Sequence, residues 1–181
     1  TGAPRPGVGP QDVALALIGR TFQSGAAKNA VLEFIGPGVE ALSIDYRCGI
    51  DVMTTETACL SSVWQTDGTV RAALTALGRG DTYRTLSPAD GAYYDGLVEI
   101  NLAAIEPMIA LPFHPSNTYT IREFKANMTD LLRQVEEDTV RQLELSAPPP
   151  SLLDKVVNGS FMVDQSVVAG CSGGTWQNLK R

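Results

Sequence analysis

The amino-acid sequence predicts a layered α/β fold in which helices pack on a largely parallel sheet. Segments with a helical spacing of apolar residues alternate with short apolar runs, and this order favours parallel strands joined by helices. The chain has 181 residues, of which 44% are hydrophobic and 19% charged, and this is enough to bury one core of that kind. The chain is therefore predicted to be globular.

The first half of the chain is predicted to begin with a helix from Pro10 to about Ser24. Proline suits the first turn of a helix, and Gly25 is a natural stop. Four more elements are predicted, in the order strand, helix, strand, helix, over residues 30–34, 45–58, 60–64 and 67–77. Asp67 is the expected N-cap of the last of these helices, and Gly78 follows its end.

The second half is predicted to contain a strand over 97–101 and a charged helix over 121–145. The predicted buried side of that helix consists of Phe124, Met128, Leu131, Leu132 and Val135. Residues 147–150, Ala-Pro-Pro-Pro, form a stiff, extended stretch that indicates a linker. A short helix over 152–157 and a buried strand over 166–169 are expected beyond it.

Glu56 is the first candidate functional residue. In a helix over 45–58 it shares one side with a set of mostly small or apolar residues: Gly49, Val52, Met53, Cys59 and Leu60. A carboxylate in an apolar setting needs a partner or holds a proton, and both conditions are typical of acids that do chemistry or meet a metal centre. The alternative is that Glu56 lies at the edge of this side and extends to water.

Cys171 is the second candidate, because it follows the predicted strand 166–169 and precedes a helix that begins near Thr175. Ligands gather beyond the carboxyl ends of strands in open α/β sheets, and a helix N-terminus favours the thiolate form in which cysteine binds a metal. The alternative is a small structural cysteine buried in a turn.

Several segments resemble, in order, the second domain of the aconitase superfamily, the iron–sulfur hydro-lyases that include isopropylmalate dehydratase. The matching segments are Gly9-Pro10-Gln11-Asp12, Gly36-Pro37-Gly38, Leu42-Ser43-Ile44, Met53-Thr54-Thr55-Glu56, Asp90–Leu102 with Glu106-Pro107, and Ser166–Gly174. Two places depart from the family pattern. Val52 stands where the family commonly has Asn. The turn at Cys171 reads Gly170-Cys171-Ser172-Gly173-Gly174 where the family usually has Gly-Ser-Cys-Thr-Asn, so Gly173 and Gly174 are departures.

The resemblance implies an aconitase-type α/β/α second domain over 1–146, the linker 147–150, and the start of the third domain over 151–181. It implies that Glu56 belongs to the active site and that Cys171 is a ligand of a 4Fe-4S cluster. The amide that Val52 lacks is either missing or replaced by the neighbouring Asp51, which is the second candidate catalytic residue. The expected substrate is a hydroxy di- or tricarboxylic acid of the citrate/isocitrate type. The other cluster ligands and substrate-binding groups are expected in the remaining domains of a parent protein, so the isolated chain is expected to be inactive.

Composition argues against several partners and locations. A net charge of −6 without a basic cluster argues against nucleic-acid binding. No apolar run approaches the length that spans a membrane, and the start is rich in Gly and Pro where a signal sequence would be charged and then hydrophobic. The chain opens on Thr1 without an initiator methionine, which suggests an excised or processed piece. Three cysteines without paired short spacing indicate neither a disulfide framework nor a zinc site. A reducing, cytoplasmic compartment is therefore expected.

Two other function classes were weighed against the hydro-lyase. A non-catalytic binding or regulatory module of an aconitase-like protein is kept open by Val52 and by the altered Cys171 turn. A serine protease would need a nucleophile turn at 170–174 and His114 as its base. His114 lies between Pro112 and Pro115 without the residues expected around a catalytic base, so it is expected to be a loop residue with no assigned task.

Overall fold

The structure, a computed structural model, describes residues 1–170 and 174–180. The α-helices are α1 (Pro10–Thr21), α2 (Pro37–Glu40), α3 (Ile44–Asp51), α4 (Gly68–Ala76), α5 (Ile121–Ala126), α6 (Met128–Gln142) and α7 (Trp176–Leu179). The strands are β1 (Val31–Phe34), β2 (Ser61–Trp64), β3 (Met108–Ala110), β4 (Thr118–Thr120), β5 (Val156–Val157) and β6 (Ser160–Phe161). Short 3₁₀ helices cover Thr54–Thr57, Gly80–Thr82, Leu102–Ala104 and Leu152–Lys155. The predicted α/β class is confirmed.

Helix α1 begins where the sequence predicts. Asp12 in its first turn accepts a hydrogen bond from the backbone N–H of Gly9 at 2.7 Å, which satisfies a donor at the helix start. The helix ends at Thr21, three residues before the predicted Ser24. Ile18, in its last turn, is fully buried.

Strands β1 and β2 form the parallel pair that the sequence predicts, in a register that places Val31 beside Ser61 and Phe34 beside Trp64. Their Phe34 and Trp64 rings stack with centroids 4.1 Å apart. Helix α3 and the 3₁₀ turn Thr54–Thr57 lie between the two strands in the chain. This crossover carries two of the predicted site residues, Asp51 and Glu56.

The helix predicted over 45–58 is wrong beyond residue 51. Helix α3 ends at Asp51, and the chain continues as the 3₁₀ turn, which ends at Ala58 with a positive φ of 61°. The helix predicted over 121–145 is likewise two helices, α5 and α6, which meet at Asn127.

Two predicted strands are absent from the described part of the chain. Residues 97–101 form no strand: the Thr1 ammonium donates to Ile100 O at 2.7 Å, and Arg20 donates to Glu99 O at 2.7 Å. Residues 166–169 lie outside any regular element. The sequence pattern missed the antiparallel pairs β3–β4 and β5–β6, so parallel pairing in the described residues is confined to β1–β2.

Two clusters of buried side chains hold these elements together. The first contains Val8, Val13, Leu42, Tyr46, Ile50, Leu102 and Ile105. The second contains Leu111, Phe124, Met128, Leu132 and Val135, which include four of the five predicted buried residues of the charged helix. Leu152 and Phe161 pack against this second cluster. Within residues 1–170 and 174–180, no helix is both long and apolar enough to cross a bilayer.

Candidate active site

Glu56 lies in the 3₁₀ turn Thr54–Thr57, with 40% of its side chain exposed. The buried helical side predicted for it is therefore wrong, because α3 ends five residues earlier and the side chain is partly open to solvent. The predicted alternative, a carboxylate that reaches water, describes its solvent exposure. Its carboxylate also has a close neighbour, described below.

Two buried threonines build the turn that carries Glu56. The hydroxyl of Thr54 donates to the carbonyl of Asp51 at 2.8 Å, and the hydroxyl of Thr57 donates to the carbonyl of Thr54 at 2.7 Å. Both residues are nearly inaccessible to solvent, at 4% and 1%. The side chain of Glu56 is therefore accessible, while the hydrogen bonds of the two buried threonines hold the backbone of its turn.

Asp51 joins the end of α3 to strand β2. Its Oδ1 atom accepts hydrogen bonds from the Ser62 hydroxyl at 2.6 Å and from the Trp64 indole N–H at 2.8 Å. These contacts account for one of its two carboxylate oxygens. The catalytic role that the resemblance implies for Asp51 stays a prediction.

His114, which the sequence pattern left without a task, is the residue nearest to the Glu56 carboxylate among the contacts described. Its Nε2 atom lies 3.6 Å from Glu56 Oε2. Its Nδ1 atom accepts a hydrogen bond from the backbone N–H of Ser116 at 3.1 Å and lies 2.9 Å from the Ser116 hydroxyl. The imidazole ring also stacks on the ring of Phe22, with centroids 3.9 Å apart. His114 and Glu56 are 58 positions apart in the chain, so no local spacing could have indicated that they meet.

An open cleft of about 900 Å³ lies beside His114, between α1, the β3–β4 pair and α6. Its lining is polar and apolar in equal parts, and its polar residues include Arg20, Ser116, Gln134 and Asp138. His114 lines this cleft, whereas Glu56 and Asp51 do not. The His114 side chain therefore lines the cleft and also lies next to Glu56, the predicted acid.

The third predicted site residue, Cys171, lies outside the described residues. Of the other cysteines, Cys59 donates to the Thr54 carbonyl at 3.3 Å, and Cys48 lies on α3. Both are free thiols and half-buried. Burial and the neighbouring carboxylates of Asp51 and Asp45 raise the pKa of Cys48, which opposes the thiolate form that a metal needs.

No three His, Cys, Asp or Glu side chains within residues 1–170 and 174–180 come together in a way that could hold a metal ion. The described residues therefore do not form a complete site for an iron–sulfur cluster, which needs several thiolates.

A family model described as "Aconitase family (aconitate hydratase)" matches residues 1–181, the whole chain. Among curated proteins, the large subunit of 3-isopropylmalate dehydratase from Elusimicrobium minutum is 34% identical over 124 residues, which are 68% of this chain and 29% of that protein. The 2,3-dimethylmalate dehydratase large subunit from Eubacterium barkeri is 25% identical over all 181 residues, 35% of its own length.

The mitochondrial aconitate hydratase of Emericella nidulans is 34% identical over 123 residues, 64% of this chain and 16% of that enzyme. The chain thus spans about a third or less of the length of these relatives.

Proposed function

This chain belongs to the aconitase family, and from that premise we propose that the protein containing it is a hydro-lyase acting on a hydroxy di- or tricarboxylic acid. The observation that carries the proposal is the match of the family model to every residue of the chain. The relatives described above support it, because each is named as a dehydratase or a hydratase. Because the chain corresponds to a minor part of those proteins, the rest of the parent protein is its expected partner in catalysis.

Glu56 is proposed as the group of this chain that exchanges a proton with the hydroxyl lost from the substrate, or with the water that replaces it. Its position supports this role, since the side chain is open to solvent while the buried threonines hold its backbone. A general acid or base must reach the reacting group, so an accessible carboxylate on a fixed turn suits the task. Asp51 would support that turn through its bonds to Ser62 and Trp64.

Cys171 is proposed as a ligand of the family's 4Fe-4S cluster, because this cysteine and the segment Ser166–Gly170 before it resemble the family. The described residues offer no complete site, so the other ligands are assigned to the rest of the parent protein. The isolated chain is accordingly expected to neither hold a stoichiometric cluster nor turn over substrate. A cytoplasmic location stays a prediction.

The relatives differ in the substrate that their names give. Their names point to isopropylmalate, dimethylmalate and aconitate, all carboxylic acids that differ in the groups beside the reacting carbons. The citrate/isocitrate type is thus one of several substrates to be tested. Hydration and dehydration should be assayed with cis-aconitate, isopropylmalate and 2,3-dimethylmalate in parallel.

The experiment is turnover by the parent protein after anaerobic reconstitution with iron and sulfide, with Glu56→Gln and Cys171→Ser beside it. We expect Glu56→Gln to lower kcat by at least about 100-fold, the usual contribution of a positioned acid or base. Cys171→Ser should lose the cluster absorbance. Glu137→Gln is the matched control, because Glu137 is an exposed glutamate on α6, and it should keep full activity.

A non-catalytic module is the second candidate, and Val52 is the observation that favours it. Val52 caps the C-terminus of α3, where the family commonly has an amide beside the active site, and an aliphatic group cannot replace its hydrogen bonds. No turnover with any of the three acids by a cluster-loaded parent would favour the module. Turnover that survives Glu56→Gln would instead contradict the role of Glu56.

A further inference from the structure

We propose that His114 is a positioning residue for Glu56, holding its carboxylate through the Nε2–H group of a neutral imidazole. This assignment rests on the proposed role of Glu56. It concerns a residue that the sequence pattern left without a function, and four contacts of the described structure carry it.

The tautomer of the ring follows from its contact with Ser116. The backbone N–H of Ser116 donates to Nδ1 at 3.1 Å. A backbone amide can only donate, so Nδ1 must be the unprotonated nitrogen, and the proton of a neutral imidazole then lies on Nε2. The Ser116 hydroxyl, 2.9 Å from Nδ1, is a second donor to the same nitrogen.

The orientation of the ring is fixed by Phe22 at the end of α1. The two rings stack with centroids 3.9 Å apart and an interplanar angle of 27°. Phe22 is an otherwise exposed aromatic residue, with 37% of its surface accessible. Together the stack and the Ser116 bonds leave the ring one preferred placement, and in that placement Nε2 faces Glu56.

The gap between His114 Nε2 and Glu56 Oε2 is 3.6 Å, which is longer than a hydrogen bond. Catalytic hydrogen bonds are often long without substrate and tighten in the complex. Both side chains are more than a third exposed, so their attraction contributes little to folding. The arrangement therefore serves orientation: His114 supplies a fixed donor toward which the flexible glutamate turns.

A pair of substitutions separates a positioning role from a merely structural one. Glutamine can place an N–H close to the position of Nε2, whereas asparagine is too short and matches Nδ1 instead. In the reconstituted parent, His114→Asn should lower kcat by up to about 100-fold, the effect of a misplacement of about 1 Å, with little change in KM. His114→Gln should recover most of that loss. Equal activity of the wild-type protein and His114→Asn would overturn the proposal, and so would equal losses in both variants accompanied by a lower Tm.

A second measurement, the NMR spectrum of the His114 imidazole, uses the 181-residue chain and does not depend on turnover. His114 is the only histidine of the sequence, so a long-range ¹H–¹⁵N spectrum of its imidazole, recorded at alkaline pH, reports one ring. We expect the Nε2–H tautomer to dominate, and Glu56→Gln to shift the Nε2 resonance more than the Nδ1 resonance. A dominant Nδ1–H tautomer, or an Nε2 shift unaffected by Glu56→Gln, would overturn the contact. An inactive parent protein, together with a 181-residue chain that shows the Nε2–H tautomer and this Glu56-dependent shift, would refute the proposed function while supporting the arrangement of His114.

Discussion

The guanidinium of Arg47 is paired with the carboxylate of Asp67, so that one nearly buried ion pair joins α3 to the start of α4. The side chains are 4% and 14% exposed. Arg47 also donates to the backbone carbonyls of Leu42 at 3.2 Å and Val39 at 2.9 Å. Asp67 caps α4 by accepting from the backbone N–H of Val70 at 3.1 Å. The crossover that carries Glu56 is thereby tied to the helix that follows β2.

Replacing Arg47 with Met should destabilise the chain by about 3 to 5 kcal/mol, because it leaves the Asp67 carboxylate and two backbone carbonyls without their charged donor. The free energy of unfolding in urea measures this loss. Arg122→Met is the control, since Arg122 pairs with Glu106 at the surface and is 71% exposed. We expect little change in that variant, and similar losses in both would contradict the importance of burial.

The free energy of unfolding should depend on pH through the ionisation of Asp67. Burial opposes the ionisation of its carboxyl, but hydrogen bonds from Arg47 and from the backbone of Val70 and Thr69 outweigh burial and lower its pKa below the ordinary 3.8. A group with a depressed folded-state pKa stabilises the fold above its unfolded-state pKa and loses that contribution as the pH falls through the folded-state value.

Asp67→Asn isolates this contribution from that of other carboxylates. The difference in unfolding free energy between the wild-type chain and Asp67→Asn should be constant near neutral pH and shrink from about pH 5 downward. A difference that stays constant into strong acid would show that the ionisation of Asp67 does not stabilise the fold.

The predictable parts of the fold are those with strong local signals. Pro10 starts α1 and Asp67 caps α4 as expected, because proline and a capping carboxylate act within one turn. The break after Asp51 escaped prediction because apolar spacing says nothing of competing hydrogen bonds. Thr54 and Thr57 bond their hydroxyls to nearby carbonyls and so favour a tight turn over a continued helix.

The site was predictable only in part for a related reason. The apolar spacing that singled out Glu56 needs a helix through residue 58, but α3 ends at Asp51. The resemblance of Met53-Thr54-Thr55-Glu56 to the family identified Glu56 independently. His114 reaches Glu56 through the β3–β4 pair, whose strands have three residues each and give too short an alternation to recognise. Long-range contacts of this kind depend on the assembled fold.

Asp51 should prove more important for stability than its exposed neighbours. Asp51→Ala removes the acceptor of the Ser62 hydroxyl and the Trp64 indole, and should cost about 1 to 3 kcal/mol. Asp51→Asn keeps an oxygen at this place and should cost less. Urea unfolding followed by tryptophan fluorescence measures both. Equal losses in the two variants would mean that the charge of Asp51, and not its acceptor oxygen, supports the turn.

Cys48 should react with iodoacetamide only at unusually high pH. Burial is the main cause of its raised pKa, which lies above the ordinary 9.0, and the carboxylates of Asp51 and Asp45 add to it. Since the thiolate is the reactive form, the alkylation rate should rise with pH along a curve whose midpoint exceeds that of an unperturbed thiol.

The measurement needs a chain in which Cys59 and Cys171 are replaced by Ser, so that Cys48 is the thiol that reacts. Asp51→Asn should move the midpoint downward, because a nearby negative charge that opposes the thiolate is gone. Asp95→Asn, at an exposed position, is the control and should leave the midpoint unchanged. A midpoint that does not change in Asp51→Asn would mean that burial and Asp45 raise the pKa of this thiol without Asp51, whose carboxylate already accepts hydrogen bonds from Ser62 and Trp64.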